Sequence, residues 1–575
     1  MHQHFVFGKW FIPVLFCLFS CNNEGEFESS TVKVRLDHFP VSLNYLIYSS
    51  FRGNDIQRKT YNGLLSFEGL GDPKPLAAKS LPVVSKLVSG RYALKYALRK
   101  HSKWDNGLKI SSKDISFSLK VLKLPLSENA IASSYYSRIK SITYDSYEDT
   151  IFTIIAEGNR SDVIRLTGDF PILEKAKFDP EGLLDSIKLS DYDLIPKEIA
   201  NNKKVISFYK AFTKDRYKYN NDFFSSSGPY KIAEIEQGKR ITLTRNENWW
   251  GNAMVNSADY MHANPNEITY FSIPETITAM YALKNGDIDV MDNIPSNEFT
   301  QLDNNEEFRK KFNLFTPLKY TFTYLGFNSE NRHLGDKKIR QALALLIDKT
   351  KIVASVESGY AQPTIGPINP AKEFYYNNEI IPTKYDPSNC VELLTQAGLK
   401  KVNGKWYQGE GKPLEFTLIH KQNSVYESIA QIFVSEAQKI GIKISSVSYD
   451  DRTIRKMVKD RNFDITIGSF NGSPFSYNFS GLFSTEAARA GGMNFTGFGD
   501  QKSDSLIQAI NYAEDSIQRR NGLFDFQKML HEESTMVFLY FVKNKIAINK
   551  KFTNLNISSL KPGYDVTSFK LVQED

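Results

Sequence analysis

The chain is poor in cysteine. It has three in 575 residues, with Cys17 and Cys21 in the N-terminal segment and Cys390 far away. That set builds no disulfide framework and no cysteine-based metal site, and a chain of this length has core enough to fold without disulfides. Beyond the N-terminal segment, no run is apolar and long enough to span a bilayer. There is also no dense basic run. The net charge of +7 comes from 72 Lys and Arg spread along the chain against 65 Asp and Glu, so no nucleic-acid partner is expected. Catalytic signatures are missing too, with no Gly-x-Ser-x-Gly elbow and no His-Glu-x-x-His helix. His531-Glu532-Glu533 lacks the second histidine and reads as a solvated helix face. The glycine-rich stretch from Gly404 to Lys412 lacks the Ser or Thr of a phosphate loop, and a β-hairpin turn before Pro413 explains it better. The eight histidines are scattered and assemble no metal site. Asp287 and Asp289 flank one strand residue and read as surface groups at a turn. No catalytic residue, metal or cofactor is therefore expected.

What is abundant is aromatic surface: 40 Phe and 30 Tyr, with aromatics at 13% of the chain. Such residues pack cores and also line ligand clefts. The length implies about two or three domains. At the N-terminus, Lys9 precedes an apolar run from Trp10 to Phe19, which is the pattern of a signal-peptide core. Leu18-Phe19-Ser20-Cys21 follows, with a small residue just before a cysteine, as in a bacterial lipobox, although Phe19 is bulkier than usual there. The expectation is cleavage before Cys21 and acylation of its sulfur; the alternative is an ordinary signal peptide with an incidental cysteine. Residues 22–31 read as a flexible tether. The protein is then expected in the cell envelope, lipid-anchored and facing the periplasm or the exterior.

Further along, Ile339, Ala342, Leu343, Leu346 and Ile347 have helical spacing over 336–352, with Asp336 as cap. In 386–398, Asp386 reads as the N-cap, Pro387 as the first helical residue and Gly398 as the stop. Cys390, Leu393, Leu394 and Ala397 share one face of that helix, which makes Cys390 a core residue. From 413 the pattern runs strand (414–419), helix (424–440), strand (442–447), helix (453–459), strand (463–470). Helix 276–285, Gly286 and strand 287–291 repeat the theme. Alternation of this kind predicts an α/β fold with a parallel sheet, and such sheets bind ligands beyond the carboxyl ends of their strands. The loop after Phe470 lies at such an end.

Several segments, taken in order, carry a resemblance. They are Tyr61-Asn62-Gly63-Leu64-Leu65; Trp104-Asp105-Asn106-Gly107 with Ser112 to Ser118; Ser227-Gly228-Pro229-Tyr230 with Arg245-Asn246 and Trp249-Trp250-Gly251; and Gly286 to Val290. Tyr324 to Asn328, Ile339-Arg340-Gln341-Ala342, Ile347-Asp348-Lys349, Gly359 to Pro363, Gly366-Pro367-Ile368, Tyr385-Asp386-Pro387 and Leu393 to Gly398 complete the series. Over roughly residues 32–550 the chain resembles the family 5 extracellular solute-binding proteins, the dipeptide-, oligopeptide- and nickel-binding proteins of ABC importers. The resemblance implies a two-lobed α/β fold of the periplasmic-binding-protein type, with an additional subdomain and a cleft that closes by hinge motion. It divides the chain into lobe I (32–61, 223–317 and 537–575), the additional subdomain (62–222) and lobe II (318–536). It implies a monomer that captures a peptide or small solute for a permease and an ATPase; a receptor without a transporter, or an exported hydrolase, are the other readings. Arg340 and Lys349 are read as structural or solvated.

The resemblance also implies a ligand-binding set. Peptide-binding members carry an acidic residue in the loop after the strand that here ends at Gly468-Ser469-Phe470, and that acid takes the ligand's ammonium group. Here the loop reads Ser469-Phe470-Asn471-Gly472-Ser473-Pro474 and has no acid; the nearest are Asp464 and Glu486. Ser469, Phe470, Asn471 and Gly472 are the candidates on this side, with Tyr320 and Tyr324 on the strand leading to Asn328. Core packing is the alternative for each tyrosine.

Overall fold

In Thr31–Leu36 the apolar residues Val32, Val34 and Leu36 alternate with Lys33 and Arg35, the period of a strand with one apolar face. In the computed structural model this strand lies in the middle of a seven-stranded sheet. The structure describes residues 30–572 apart from 45–50, 70, 127–132, 134, 215–218, 221–223, 255–257, 410–412 and 490–491. Cys17, Cys21 and the expected signal peptide lie outside the described residues, as does nearly all of the expected tether. The strand order is 312–315, 546–549, 290–291, 31–36, 267–272, 240–245, 230–236. Strand 31–36 runs parallel to both of its neighbours, and the remaining pairs are antiparallel. Asp289, expected at the surface, is buried: its carboxylate accepts the Lys33 amide at 3.0 Å and pairs with Lys551 at 2.7 Å. The strand expected over 287–291 is confined to Val290–Met291.

A six-stranded sheet forms the second layer, in the order 361–363, 536–543, 318–327, 465–471, 415–421, 443–449. Its last three strands are parallel, joined by helices Ser424–Lys439 and Asp451–Lys459, as the alternating pattern implies. The sheet is nonetheless mixed. Strand Leu318–Phe327 runs antiparallel to both Ile465–Asn471 and Met536–Lys543. Because 536–543 hydrogen-bonds in this sheet, the chain returns to the first sheet after Lys543, not at the expected 537.

Helix Pro387–Gln396 is capped by Asp386, which accepts from the Ser388 and Asn389 amides, and Cys390 and Leu394 are fully buried. The single helix expected over 336–352 is two. Asp336 caps Lys337–Ala344, and Asp348 starts a second helix, Lys349–Val356, by accepting the Lys351 amide. Arg340 is buried and structural: its guanidinium donates to the Leu334, Gly335 and Glu533 carbonyls and pairs with the Glu533 carboxylate at 3.1 Å. Glu533 also pairs with Lys337 at 2.8 Å, so the helix end at His531–Glu533 is a packing surface and not merely solvated. The stretch 404–412, expected as one turn, is in part strand: Lys405–Gln408 pairs with Leu399–Val402 in a hairpin that turns at Asn403 and Gly404, and 410–412 lie outside the described residues.

A four-stranded antiparallel sheet (83–86, 91–97, 151–157, 139–144) forms a third layer, with helices Ser112–Leu122, Arg160–Gly168 and Lys203–Phe212 and a core that includes Trp104, Tyr96, Phe152 and Phe208. Its join to the seven-stranded sheet is built from Ser227-Gly228-Pro229. The Ser227 and Gly228 amides donate to the Thr60 carbonyl, Asn246 donates to Gly228 and Trp250 Nε1 to Ser227. A side chain at Gly228 would stand 2.4 Å from the Lys59 carbonyl oxygen, so the two segments meet this closely because position 228 carries none.

Between the seven- and six-stranded sheets the chain crosses at 316–317 and again at 544–545. The crossings are tied together, the Asn544 amide donating to the Pro317 carbonyl at 2.7 Å. Two short adjacent crossings between two sheets with separate cores form the connection of a two-lobed, hinge-jointed fold.

Candidate functional site

Strand direction places the site. Leu318–Phe327 is antiparallel to Ile465–Asn471, with Thr321 opposite Asn471, so the start of one strand meets the end of the other. The Gly472 amide then donates to the Tyr320 carbonyl at 2.8 Å. Tyr320, Gly472, Pro474 and Phe475 form one wall of a cavity of about 570 Å³. Further lining comes from helix Phe51–Thr60, through Asp55, Arg58 and Lys59, and from segment 556–567. The third layer contributes Phe67, Arg165 and Asp169. All three layers thus face one space, of the size that takes a small ligand.

The charged residues of the walls are largely cross-linked. Asp55 and Lys59, one helical turn apart, pair at 2.7 Å. Asp169 takes Arg58 at 2.9 Å and Arg165 at 3.3 Å. The Arg165 guanidinium stacks over the Phe475 ring, 3.7 Å from its centroid, and that ring meets Phe67 edge-on at 5.4 Å. Phe475 thereby joins the loop of the six-stranded sheet to the third layer. Asp565 accepts from the Thr567 amide and hydroxyl. Beneath the loop, the half-buried Lys372 donates to the Pro474 carbonyl and, at 3.0 Å, to the Tyr477 hydroxyl. Burial pushes its ammonium pKa down to about 8, against an opposing pull from Asp72.

Of the six residues read from the sequence, Tyr320 and Gly472 line the cavity. Tyr324 packs against Phe495 at 5.7 Å, with its hydroxyl over Gly468. Phe470 packs on Phe322 at 5.6 Å, within the cluster around Phe538 and Phe541. Ser469 lies on the other face, accepting from Tyr426 at 2.9 Å beside Thr323. The Asn471 side-chain oxygen accepts from Thr321 Oγ1 at 2.6 Å. These four are not among the lining residues. The reading missed Phe475, Arg165 and the 556–567 segment among the lining residues, and Lys372 behind the loop. Phe475 had a usable signal, an aromatic directly after the loop; Arg165 and Lys372 had none, because they reach the cavity wall and the back of the loop from distant elements. Cys390 lies elsewhere, its thiol pushed up to about 12 by burial, which suits packing and not nucleophilic chemistry. Among the described residues no cluster of three or more His, Cys, Asp or Glu could hold a metal ion, and no helix is long and apolar enough to cross a membrane.

Comparison with known proteins agrees with this architecture. The oligopeptide-binding protein AppA of Bacillus subtilis is 24% identical over 544 residues, 93% of this chain and 90% of that protein. The nickel-binding protein NikA of Staphylococcus aureus is 26% identical over 376 residues, 64% of this chain and 69% of that protein. The structure of HbpA2 from Haemophilus parasuis superimposes with a TM-score of 0.74 at 17% identity, covering 94% of this chain and all of that one, a likeness of fold. Residues 72–490 match the model described as bacterial extracellular solute-binding proteins, family 5 Middle, and the chain belongs to that family.

Proposed function

We propose that this protein is the substrate-binding lipoprotein of an ABC-type importer, acting as a monomer. It captures a peptide or similar small solute in the interlobe cavity and hands it to a membrane permease driven by an ATPase. One observation carries the reading: a cavity of about 570 Å³ faced by all three layers, with the two main sheets joined by paired crossings at Pro317 and Asn544. Such a geometry lets a solute be gripped by both lobes at once and released when they part. The cavity offers pairing and packing groups, and among the described residues that line it no nucleophile, base and orienting group are hydrogen-bonded together. The relatives named for binding oligopeptides and nickel, with a similar heme-binding protein A of Haemophilus influenzae, bracket the solute classes to be screened. The anchor is Cys21, acylated more than once, since a single chain holds a protein on a membrane only marginally.

Thermal shift against pooled peptides, nickel chelates and haem tests the solute reading. A true ligand at 100 times its Kd adds about 2.7 kcal/mol to stability. No shift with any of the three classes rejects it. Cell fractionation tests the anchor: the Cys21→Ser protein leaves the membrane fraction, and its persistence there would show that another anchor exists.

A further inference from the structure

The donors and acceptors along the cavity are unequally satisfied. Its acids are engaged: Asp55 with Lys59, Asp169 with Arg58 and Arg165, Asp565 with Thr567. Two of its buried donors are not. Tyr320 is 8% exposed and Trp249 4%, both line the cavity, and neither the Tyr320 hydroxyl nor Trp249 Nε1 has a hydrogen-bond partner among the described residues. A buried donor without a partner is costly, and an incoming acceptor removes the cost. The charge at the loop end has the matching sign. The Lys372 ammonium stands 5.9 Å from the centre of the Tyr320 ring, held by the Pro474 carbonyl and the Tyr477 hydroxyl, both uncharged. The loop 469–474 contributes no carboxylate. The acid that faces Tyr320, Lys372 and Tyr477 is Asp72, which is exposed on strand Asp72–Pro75 and so screened by water.

We propose that the loop end of the cavity receives an anionic acceptor group of the ligand, a carboxylate, and not an ammonium group. The Tyr320 hydroxyl donates to a carboxylate oxygen, and the Lys372 charge favours the anion and repels a cation. Trp249 Nε1 supplies a second donor to the same acceptor-rich ligand. This inference rests on the reading of the cavity as the solute site.

The test is calorimetric titration of the full-length protein with a pool of tetrapeptides bearing neutral side chains, in free, N-acetylated and C-amidated forms. Acetylation is expected to leave affinity within about threefold, while amidation weakens it about tenfold or more, as loss of a hydrogen bond to a charged group does. Tyr320→Phe should weaken the free form about tenfold and shrink the amidation penalty. The same variant should not lower the melting temperature of the ligand-free protein, because the hydroxyl has no partner to lose. A protein that tolerates amidation but rejects acetylated peptides would overturn this proposal and leave the peptide-binding reading intact. Failure of all three forms to bind would overturn both.

Discussion

At the scale of single residues, the cavity is held by contacts that sequence motifs did not mark. Phe475 is the clearest case. It leaves the six-stranded sheet's loop, inserts between Phe67 and Arg165 of the third layer, and leaves no room for a side chain at Gly71. An aromatic pair and a cation–π contact are each worth about 1 kcal/mol, and both exist only while the layers are in contact. Phe475→Ala should therefore weaken ligand binding about fivefold or more, expressed as faster dissociation. Stopped-flow dissociation of a bound peptide checks this, and an unchanged rate would show that the ring does not hold the layers together. Tyr320 and Gly472, both offered by the resemblance, line the cavity because the start of Leu318–Phe327 meets the end of Ile465–Asn471 there. Tyr324, Ser469, Phe470 and Asn471 sit in the same stretches but point along the sheet or into its packing, a distinction that depends on cross-strand register.

At the scale of elements, local signals were the reliable ones. Asp386-Pro387 at a helix start and Gly398 past its end appear where expected, because capping is a contact between near neighbours. Asp348 carries the same signal, but apolar spacing continuing past it made two helices read as one. The second of these helices is tied to Ser424–Lys439 through Glu436. Burial raises that carboxyl's pKa, but hydrogen bonds from Lys439 (2.8 Å), Tyr385 (2.6 Å) and Lys351 (3.2 Å) outweigh it and hold the pKa down at about 2. A carboxylate depressed in the folded state adds stability above its unfolded value near 4.5 and loses it as pH falls toward 2. Glu436→Gln should cost about 1–3 kcal/mol at pH 7, with the gap to wild type closing between those two values. Urea titrations at pH 7 and pH 3 measure it; a gap independent of pH would place the effect in packing.

At the scale of the whole molecule, the order of motifs anticipated the two-lobed fold, and some of them mark joins, such as Ser227-Gly228-Pro229 at the meeting of two layers. The return to the first lobe was misplaced because Met536–Lys543 is one apolar run, and hydrophobicity does not say which of two sheets a strand joins. The antiparallel half of the second sheet was equally hidden, as pairing direction depends on contacts distant in sequence. Those contacts bring the strand ends together at the cavity, and in the proposed function the molecule is a clamp that holds its solute without transforming it. Calorimetric titration with a tetrapeptide pool, followed by mass spectrometry of the recovered peptides, tests that claim most directly. The account predicts saturable binding at one site, a negative heat-capacity change from buried apolar surface, and peptides recovered intact. Steady heat release with cleaved peptides in the cell would contradict it.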